Sequence, residues 1–207
     1  MMVLEKSYGR QMTFDFVEKL VQRYDNYAAG SVTDEERAAI YKYGETTSSK
    51  NAIAEIWLKL YNEIANINNF LQYLESNGDV IVTEGYRDLM KGEALGLRAF
   101  HYFDLLRLFA EAYSAGKDKE AIPYVTKLTS SVTPLFTQED AITMILEDLK
   151  NAKMLLANDP MHLGTSPASC LASLPSGAYL SSDKIQSWHN RRFRFNYYAA
   201  VATMARV

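Results

Sequence analysis

Aromatic and amide side chains in two loop regions have the best chemistry for ligand binding. Tyr41 and Tyr43 come before the first long predicted helix, and Trp188, His189 and Asn190 come before the last predicted helix. Sugar rings have apolar faces that stack on aromatic rings, and their hydroxyl groups need planar hydrogen-bond partners. We therefore take these five residues as candidate sugar-binding residues. The alternative is that each is an ordinary core or rim residue.

The histidines and the single cysteine show no pattern of a catalytic or metal site. His101, His162 and His189 are not at metal-ligand spacing from one another or from a carboxylate, and the apolar helix around His101 favours a core position. Cys170 is the only cysteine, so neither an internal disulfide nor a thiolate metal cluster can form. The sequence also has no phosphate-binding loop and no serine-nucleophile motif. We predict no catalytic residue, no metal and no cofactor, and a protein that is not an enzyme.

Two pairs of adjacent carboxylates are better explained as surface charges than as a catalytic pair. They are Glu139-Asp140 and Glu147-Asp148, both on one predicted helix. Adjacent helical residues point about 100° apart, so such a pair cannot flank a glycosidic bond. We predict that both pairs are solvated, with Glu139 and Asp140 favourably placed at the helix N-terminus.

Composition excludes several classes of partner. The 207 residues carry 22 basic and 25 acidic side chains, a net charge of −3 that gives no electrostatic footprint for nucleic acid or an anionic membrane. The chain has no apolar run long enough to span a bilayer, and its first residues lack the apolar core of a signal peptide. It is therefore either cytosolic or an exported protein whose leader has been removed.

Apolar residues that recur every three or four positions predict the helices that must position these side chains. The predicted helices cover residues 13–24, 33–43, 51–77, 84–113, 138–157 and 194–207. The expected N-caps are Thr13, Thr33, Thr83 and Thr137, the last with Asp140 three residues on. Residues 44–50, 114–119 and 161–183 are expected to be polar loops, and residues 122–125 to be extended because Pro123 disfavours a helix before it.

The predicted helix over residues 84–113 is apolar nearly all round and should lie at the centre of the fold. Its Gly92 and Gly96 form a G-x-x-x-G pattern, which among so many charges indicates close approach of a neighbouring helix rather than dimerisation in a membrane. Asn68 shares the apolar stripe of the preceding helix with Ile64 and Leu71. We therefore predict that it bonds the backbone of a neighbouring helix or loop, whereas a solvent position is the alternative for the other asparagines nearby.

The order of the helices predicts an all-α fold of helix hairpins. Residues 51–77 should pair with 84–113, and residues 138–157 with 194–207. This arrangement is an α-α superhelix of tetratricopeptide-like helix hairpins with long irregular loops, in a single domain over residues 1–207. The last helix has no stop signal before Val207. We therefore expect this chain to be a fragment of a longer protein.

Five sequence motifs in series resemble the SusD/RagB family of outer-membrane nutrient-binding proteins. The main one is E-x-x-x-LRA-x-x-YF-x-L-x-RLF over residues 93–109. The others are LY-x-x-I-x-x-x-N-x-x-L over 60–71, IPYVTK over 122–127, DL-x-x-A over 148–152, and NY-x-A-x-x-A-x-x-ARV over 196–207. The chain departs from the family in three ways. Pro134-Leu135-Phe136 replaces an arginine common before the third helix, the lipidated leader is absent, and the chain is much shorter.

The resemblance implies a function in nutrient capture. Members of this family are lipid-anchored proteins on the outer surface of Bacteroidetes, and they sit on a SusC-like TonB-dependent transporter that imports glycans or other nutrients. It implies a glycan or other oligomeric nutrient as ligand, variable loops as the ligand site, a helical scaffold that includes Leu97, Arg98, Tyr102 and Phe103, and an anchor lying outside this chain. The alternative is a non-enzymatic helical-repeat scaffold for protein–protein interaction, which a lipobox in the unprocessed gene product would exclude.

Overall fold

Helices dominate the part of the chain that the computed structural model describes. That part comprises residues 8–9, 12–13, 16–21, 41, 47–82, 84–129, 131–159, 161–163 and 191–207. Its helices are α1 (Phe16–Leu20), α2 (Thr47–Asn77), α3 (Tyr86–Phe109), α4 (Tyr113–Gly116), α5 (Gln138–Leu155) and α6 (Tyr197–Arg206). Single 3-10 turns cover Gly78–Val80, Leu156–Asn158 and Arg191–Phe193, and the two strands are β1 (Glu120–Pro123) and β2 (Leu135–Thr137). The predicted all-α class is confirmed.

The chain divides into two compact units, residues 1–64 and residues 65–207. In the first unit, Phe16 of α1 and Ile56, Leu60 and Ile64 of α2 are buried. The apolar positions on α2 recur at the spacing of one helix face, which is why this stretch is helical. The prediction that residues 1–207 form a single domain stays a prediction.

Several helix boundaries differ from the predicted ones. Helix α2 begins at Thr47, so the predicted loop over residues 44–50 is wrong for its last four residues. Helix α3 begins later than predicted and is preceded by Gly85, whose φ of 74° lies in the left-handed region that glycine adopts without steric cost. Gly85 holds the N-cap position of α3, and the expected cap Thr83 lies outside the described residues. Ala110 is extended and ends α3 before the predicted end at residue 113. Tyr113–Gly116 is a separate helical turn that overlaps the first three residues of the predicted loop over 114–119.

Only part of the region over residues 8–47 is among the described residues, so its predicted helices are tested in part. Helix α1 begins at Phe16, three residues after the expected cap Thr13. The predicted helix over 33–43 lies outside the described residues except for Tyr41. The predicted loop over 161–183 is described only at residues 161–163.

The chain entering α5 is held by a short antiparallel ribbon. Ile122 pairs with Phe136 and Pro123 with Leu135, with an irregularity between Glu120 and Ile122. The extended conformation around Pro123 is confirmed, whereas its pairing with a second strand was not predicted. Thr137 then caps α5: its hydroxyl accepts from the Asp140 backbone N–H at 3.1 Å and donates to the Asp140 carboxylate at 2.8 Å. The predicted capping pair is confirmed, and both Glu139 and Asp140 are exposed as expected.

Helix α3 is central to the second unit, as predicted. It contacts α5, α6 and β1, and α5 also packs on α6 to form the predicted hairpin. Its fully buried residues include Ala99, Tyr102 and Leu105, which are 0% exposed. The facing side of α5 contributes Ala141, Ile145, Leu149 and Ala152, all also 0% exposed. No helix in the described part of the chain has the length and hydropathy that crossing a bilayer requires.

The two glycines of α3 lie where other parts of the chain approach most closely. A Cβ atom on Gly92 would lie 2.9 Å from Leu156 Cγ and 3.2 Å from the Ala152 carbonyl oxygen. A Cβ atom on Gly96 would overlap the ring of Phe195, which is itself buried. The interpretation of the G-x-x-x-G pattern as a site of close packing is confirmed.

Substituting Gly96→Ala should lower the free energy of unfolding by about 1–2 kcal/mol. A Cβ atom here would overlap several ring atoms of Phe195, so we expect a cost of about 2–3 kcal/mol, in the upper part of the range for overpacking. This cost exceeds the gain of about 1 kcal/mol from replacing glycine by alanine in a helix. Urea denaturation followed by circular dichroism measures the change. In a Phe195→Ala background the same substitution should become neutral or stabilising, because the clash is gone. A stabilised Gly96→Ala single variant would contradict the packing argument.

Candidate functional site

The five candidate ligand residues from the sequence are mostly untested by the structure. Tyr41 lies in a turn with a φ of 60°, and its side chain is 62% exposed. Tyr43, Trp188, His189 and Asn190 lie outside the described residues. The structure therefore shows an accessible ring at Tyr41 and does not test whether the five residues come together.

A groove in the second unit is a further candidate, and sequence reasoning missed it. Its volume is about 320 Å³, within the range of roughly 300–1,000 Å³ of ligand pockets. Its lining residues come from α2, α3 and the segment before α6: Asn66, Ile67, Phe70, Met90, Glu93, Ala94, Leu97 and Arg194. Along each helix the lining residues recur after three or four positions, with one adjacent pair on each helix, so each helix turns one face to the groove. Most of the wall is apolar, and a carboxylate and a guanidinium provide strong hydrogen-bonding groups.

Glu93, the carboxylate in the groove wall, is held by Arg191, whose side chain is 0% exposed. Arg191 Nη1 donates to Glu93 Oε2 at 2.6 Å, and Arg191 Nη2 donates to Asp159 Oδ2 at 2.6 Å and to the Phe195 carbonyl at 3.3 Å. Asp159 is also fully buried, and its second oxygen accepts from the Met161 backbone N–H at 3.0 Å. Through these ion pairs Arg191 connects the chain before α6 to α3 and to the segment that follows α5.

Burial and the neighbouring carboxylates have opposite effects on the pKa of Arg191. Burial lowers its pKa, but the hydrogen bond with Asp159 and the charges of Glu93 and Asp159 outweigh burial and raise it. The guanidinium therefore keeps its positive charge at neutral pH. Its Nε atom is buried and has no hydrogen-bond acceptor in the described part of the chain. Arg194, which is half-exposed, lies 3.7 Å from Glu93 Oε2, beyond hydrogen-bond distance.

A second buried arginine, Arg98, joins α2, α3 and α5. Arg98 donates to both carboxylate oxygens of Asp148, Nε to Oδ2 at 2.8 Å and Nη2 to Oδ1 at 2.7 Å. Its Nη1 donates to Asn68 Oδ1 at 2.9 Å, and the Tyr124 hydroxyl donates to Asp148 Oδ2 at 2.8 Å. The prediction that Asp148 is solvated is wrong. A charge pattern along one helix does not show that a partner 50 residues away covers one of its carboxylates.

The same cluster holds the extended chain after β1. Asn68 Nδ2 donates to the Val125 carbonyl at 2.7 Å, which confirms the predicted bond from Asn68 to a neighbouring backbone. The Tyr102 hydroxyl donates to the same carbonyl at 2.8 Å and accepts from the Val125 N–H at 2.6 Å. The rings of Tyr102 and Tyr124 stack with centroids 3.9 Å apart. Burial is the largest effect on both tyrosines and raises their pKa values, so both hydroxyl groups stay protonated and can donate. The cluster is part of the scaffold.

The two histidines that the structure describes, His101 and His162, make packing contacts of the scaffold. His101 is 2% exposed, which confirms its predicted core position, and burial lowers its pKa to about 4. The ring of His162 stacks on Tyr197 with centroids 3.8 Å apart, and its Nδ1 lies 2.8 Å from the Ala157 carbonyl oxygen. In the ranges that the structure describes, no group of three His, Cys, Asp or Glu residues could hold a metal ion.

Comparison with known proteins gives one family and several solved structures. The model of a SusD-like family, described as starch-binding and associating with outer membrane, matches residues 9–180. A SusD-like carbohydrate binding protein from Bacteroides vulgatus is 22% identical with a TM-score of 0.57, and the match covers 87% of this chain and 31% of that one. A SusD-like protein from Bacteroides fragilis is 21% identical with a TM-score of 0.56, covering 96% and 32%. At these identities the two structures show the shared fold. No curated protein matches the chain.

Proposed function

This chain belongs to the SusD-like family, and we propose from that membership that it binds a glycan for nutrient uptake at the bacterial outer membrane. The single observation that carries the proposal is the family match over residues 9–180, whose description is starch-binding and associating with outer membrane. The carbohydrate binding protein of the same fold from Bacteroides vulgatus supports a sugar as ligand. The role is binding rather than catalysis.

The chain spans about a third of the length of the two solved structures it matches, 31% of one and 32% of the other. We propose that the helical scaffold of this chain supports ligand-binding loops and contacts a SusC-like TonB-dependent transporter. We further propose that a lipid anchor outside this chain holds the protein at the cell surface.

The ligand contacts proposed from the sequence are aromatic and amide side chains in loops. Tyr41 supports the proposal because its ring is 62% exposed and therefore accessible for stacking. Trp188, His189 and Asn190 are proposed on residue type alone, as is Tyr43. In the chain, Asn190 is followed directly by Arg191, so that a rigid anchor adjoins these candidate residues.

Calorimetry with a panel of oligosaccharides tests the binding function. The purified 207-residue chain is titrated with maltoheptaose, xylohexaose, laminarihexaose and a galacturonic acid hexamer. We expect saturable binding of at least one of them. Co-purification of the tagged chain from solubilised outer membranes tests the partner, with a TonB-dependent transporter expected in the eluate. If no oligosaccharide binds and no transporter elutes, the proposal is wrong and the protein-interaction scaffold becomes the better hypothesis.

A further inference from the structure

We propose that the groove between α2 and α3, with Glu93 and Arg194 in its wall, binds a sugar ring of a neutral glycan. The inference rests on the proposed glycan-binding function and adds to it a site and a ligand class. It depends on three properties of the groove: its walls, its charge balance and the way in which Arg191 holds Glu93.

The walls of the groove suit the mixed surface of a sugar ring. Phe70, Met90 and Leu97 present apolar side chains, and Phe70 adds an aromatic ring. The C–H face of a pyranose packs on such surfaces, whereas its hydroxyl groups need donors and acceptors at the edge. Glu93 and Arg194 supply a carboxylate acceptor and a guanidinium donor in the same groove. A sugar ring needs both an apolar surface and hydrogen-bonding groups, and the groove supplies both.

The charge balance favours a neutral ligand. Two acidic side chains, Glu93 and Asp159, and two basic ones, Arg191 and Arg194, lie within one connected set of ion pairs, so the net charge of the set is zero. A carboxylate on an acidic sugar would meet Arg194 but also the carboxylate of Glu93. Like charges at short range in a partly buried site repel each other strongly. Hydroxyl groups bind both side chains without adding a charge.

Glu93 is held in position before a ligand binds, and both Glu93 and Arg194 can form a further hydrogen bond. Arg191, which is fully buried, holds Glu93 at 2.6 Å, so the carboxylate keeps its place without a ligand. The separation of 3.7 Å between Arg194 and Glu93 is too long for a direct hydrogen bond. A sugar hydroxyl can accept from Arg194 and donate to Glu93 at the same time. Groups that are already fixed lose little entropy when the ligand binds.

Calorimetry on matched variants, with the same four oligosaccharides, tests the inference. Phe70→Ala removes the aromatic wall, and Arg194→Gln removes a donor that is 51% exposed and therefore unimportant for folding. The matched controls are Tyr73→Ala, an aromatic residue that is 64% exposed on the same helix, and Arg206→Gln on α6. Thermal unfolding by circular dichroism checks that each variant is folded. If Phe70→Ala is unstable, Arg194→Gln still decides the question.

We expect a neutral oligosaccharide to bind the unmodified chain and both controls equally, and to bind each groove variant about tenfold more weakly. Arg194→Gln loses a hydrogen bond from a charged group, and Phe70→Ala loses the aromatic surface on which the sugar ring packs. Equal binding to all variants would overturn the groove site and leave the glycan-binding function standing. Binding of the galacturonic acid hexamer alone would overturn the ligand class in the same way. If nothing in the panel binds the unmodified chain, the inference fails together with the proposed function.

Discussion

Replacing Arg98 by methionine should lower the free energy of unfolding by about 3–5 kcal/mol, the usual cost of removing one partner of a buried ion pair. The Arg98 and Asp148 side chains are 8% and 10% exposed, so the variant leaves the carboxylate of Asp148 with no cation and little water. Asn68 also loses the donor to its side-chain oxygen. Urea denaturation followed by circular dichroism at 222 nm measures the loss.

Two comparisons separate the charge effect from lost packing. Lys119→Met removes an exposed ion pair with Glu111 at 2.7 Å and should cost less than about 1 kcal/mol. The double variant Arg98→Met with Asp148→Leu should be more stable than Arg98→Met alone, because an apolar pair leaves no buried charge behind. If the single variant matches the unmodified chain, the Arg98–Asp148 pair does not hold the helices together.

Arg191→Met should cost a similar amount, about 3–5 kcal/mol, because it leaves two carboxylates without their shared cation. Asp159 is 0% exposed and Glu93 is 18% exposed, so neither can be fully solvated unless the structure opens. The ion pair between Asp159 and Arg191 also joins two points that are 32 residues apart in the chain, so the variant loses a long-range contact. The same urea denaturation measures the change.

A neighbouring arginine and a second substitution provide the controls for this result. Arg194→Met removes a guanidinium that is half-exposed and 3.7 Å from the same carboxylate, and it should change stability by less than about 1 kcal/mol. Adding Asp159→Asn to Arg191→Met should restore part of the loss, because the amide is neutral and keeps its size. An Arg191→Met chain no less stable than Arg194→Met would show that the ion pairs do not anchor the segment before α6.

The sequence was sufficient to predict the features that depend on local pattern. The helices over most of residues 51–77 and 138–155, the capping of α5 by Thr137 and the close packing at Gly92 all follow from residue spacing. The bond from Asn68 to a neighbouring backbone was also predictable, because a buried stripe cannot accommodate an amide without a partner. In each case the signal lies within a few turns of one helix.

The features that were missed depend on partners distant in sequence. Asp148 looks like any surface carboxylate until Arg98 is placed beside it, and nothing near Asp159 indicates Arg191. The groove is formed by two helices and Arg194, about a hundred residues from Glu93, so no local pattern announces it. The start of α3 differs from the predicted one because Gly85, in the left-handed conformation, holds the N-cap position without a side-chain hydrogen bond. A capping pattern of polar side chains does not indicate such a start.

The way in which Val125 is held has a consequence for the evolution of this surface. Its N–H and carbonyl are bonded by side chains of α2 and α3 rather than by a neighbouring strand. An inserted or deleted residue next to Val125 would move its peptide groups out of reach of Tyr102 and Asn68. For the described residues of the following stretch, 128–129 and 131–133, no hydrogen bond to a side chain of α2 or α3 is seen. Natural variation in length is therefore expected to accumulate in this stretch, where new binding loops can be added without disturbing the fold.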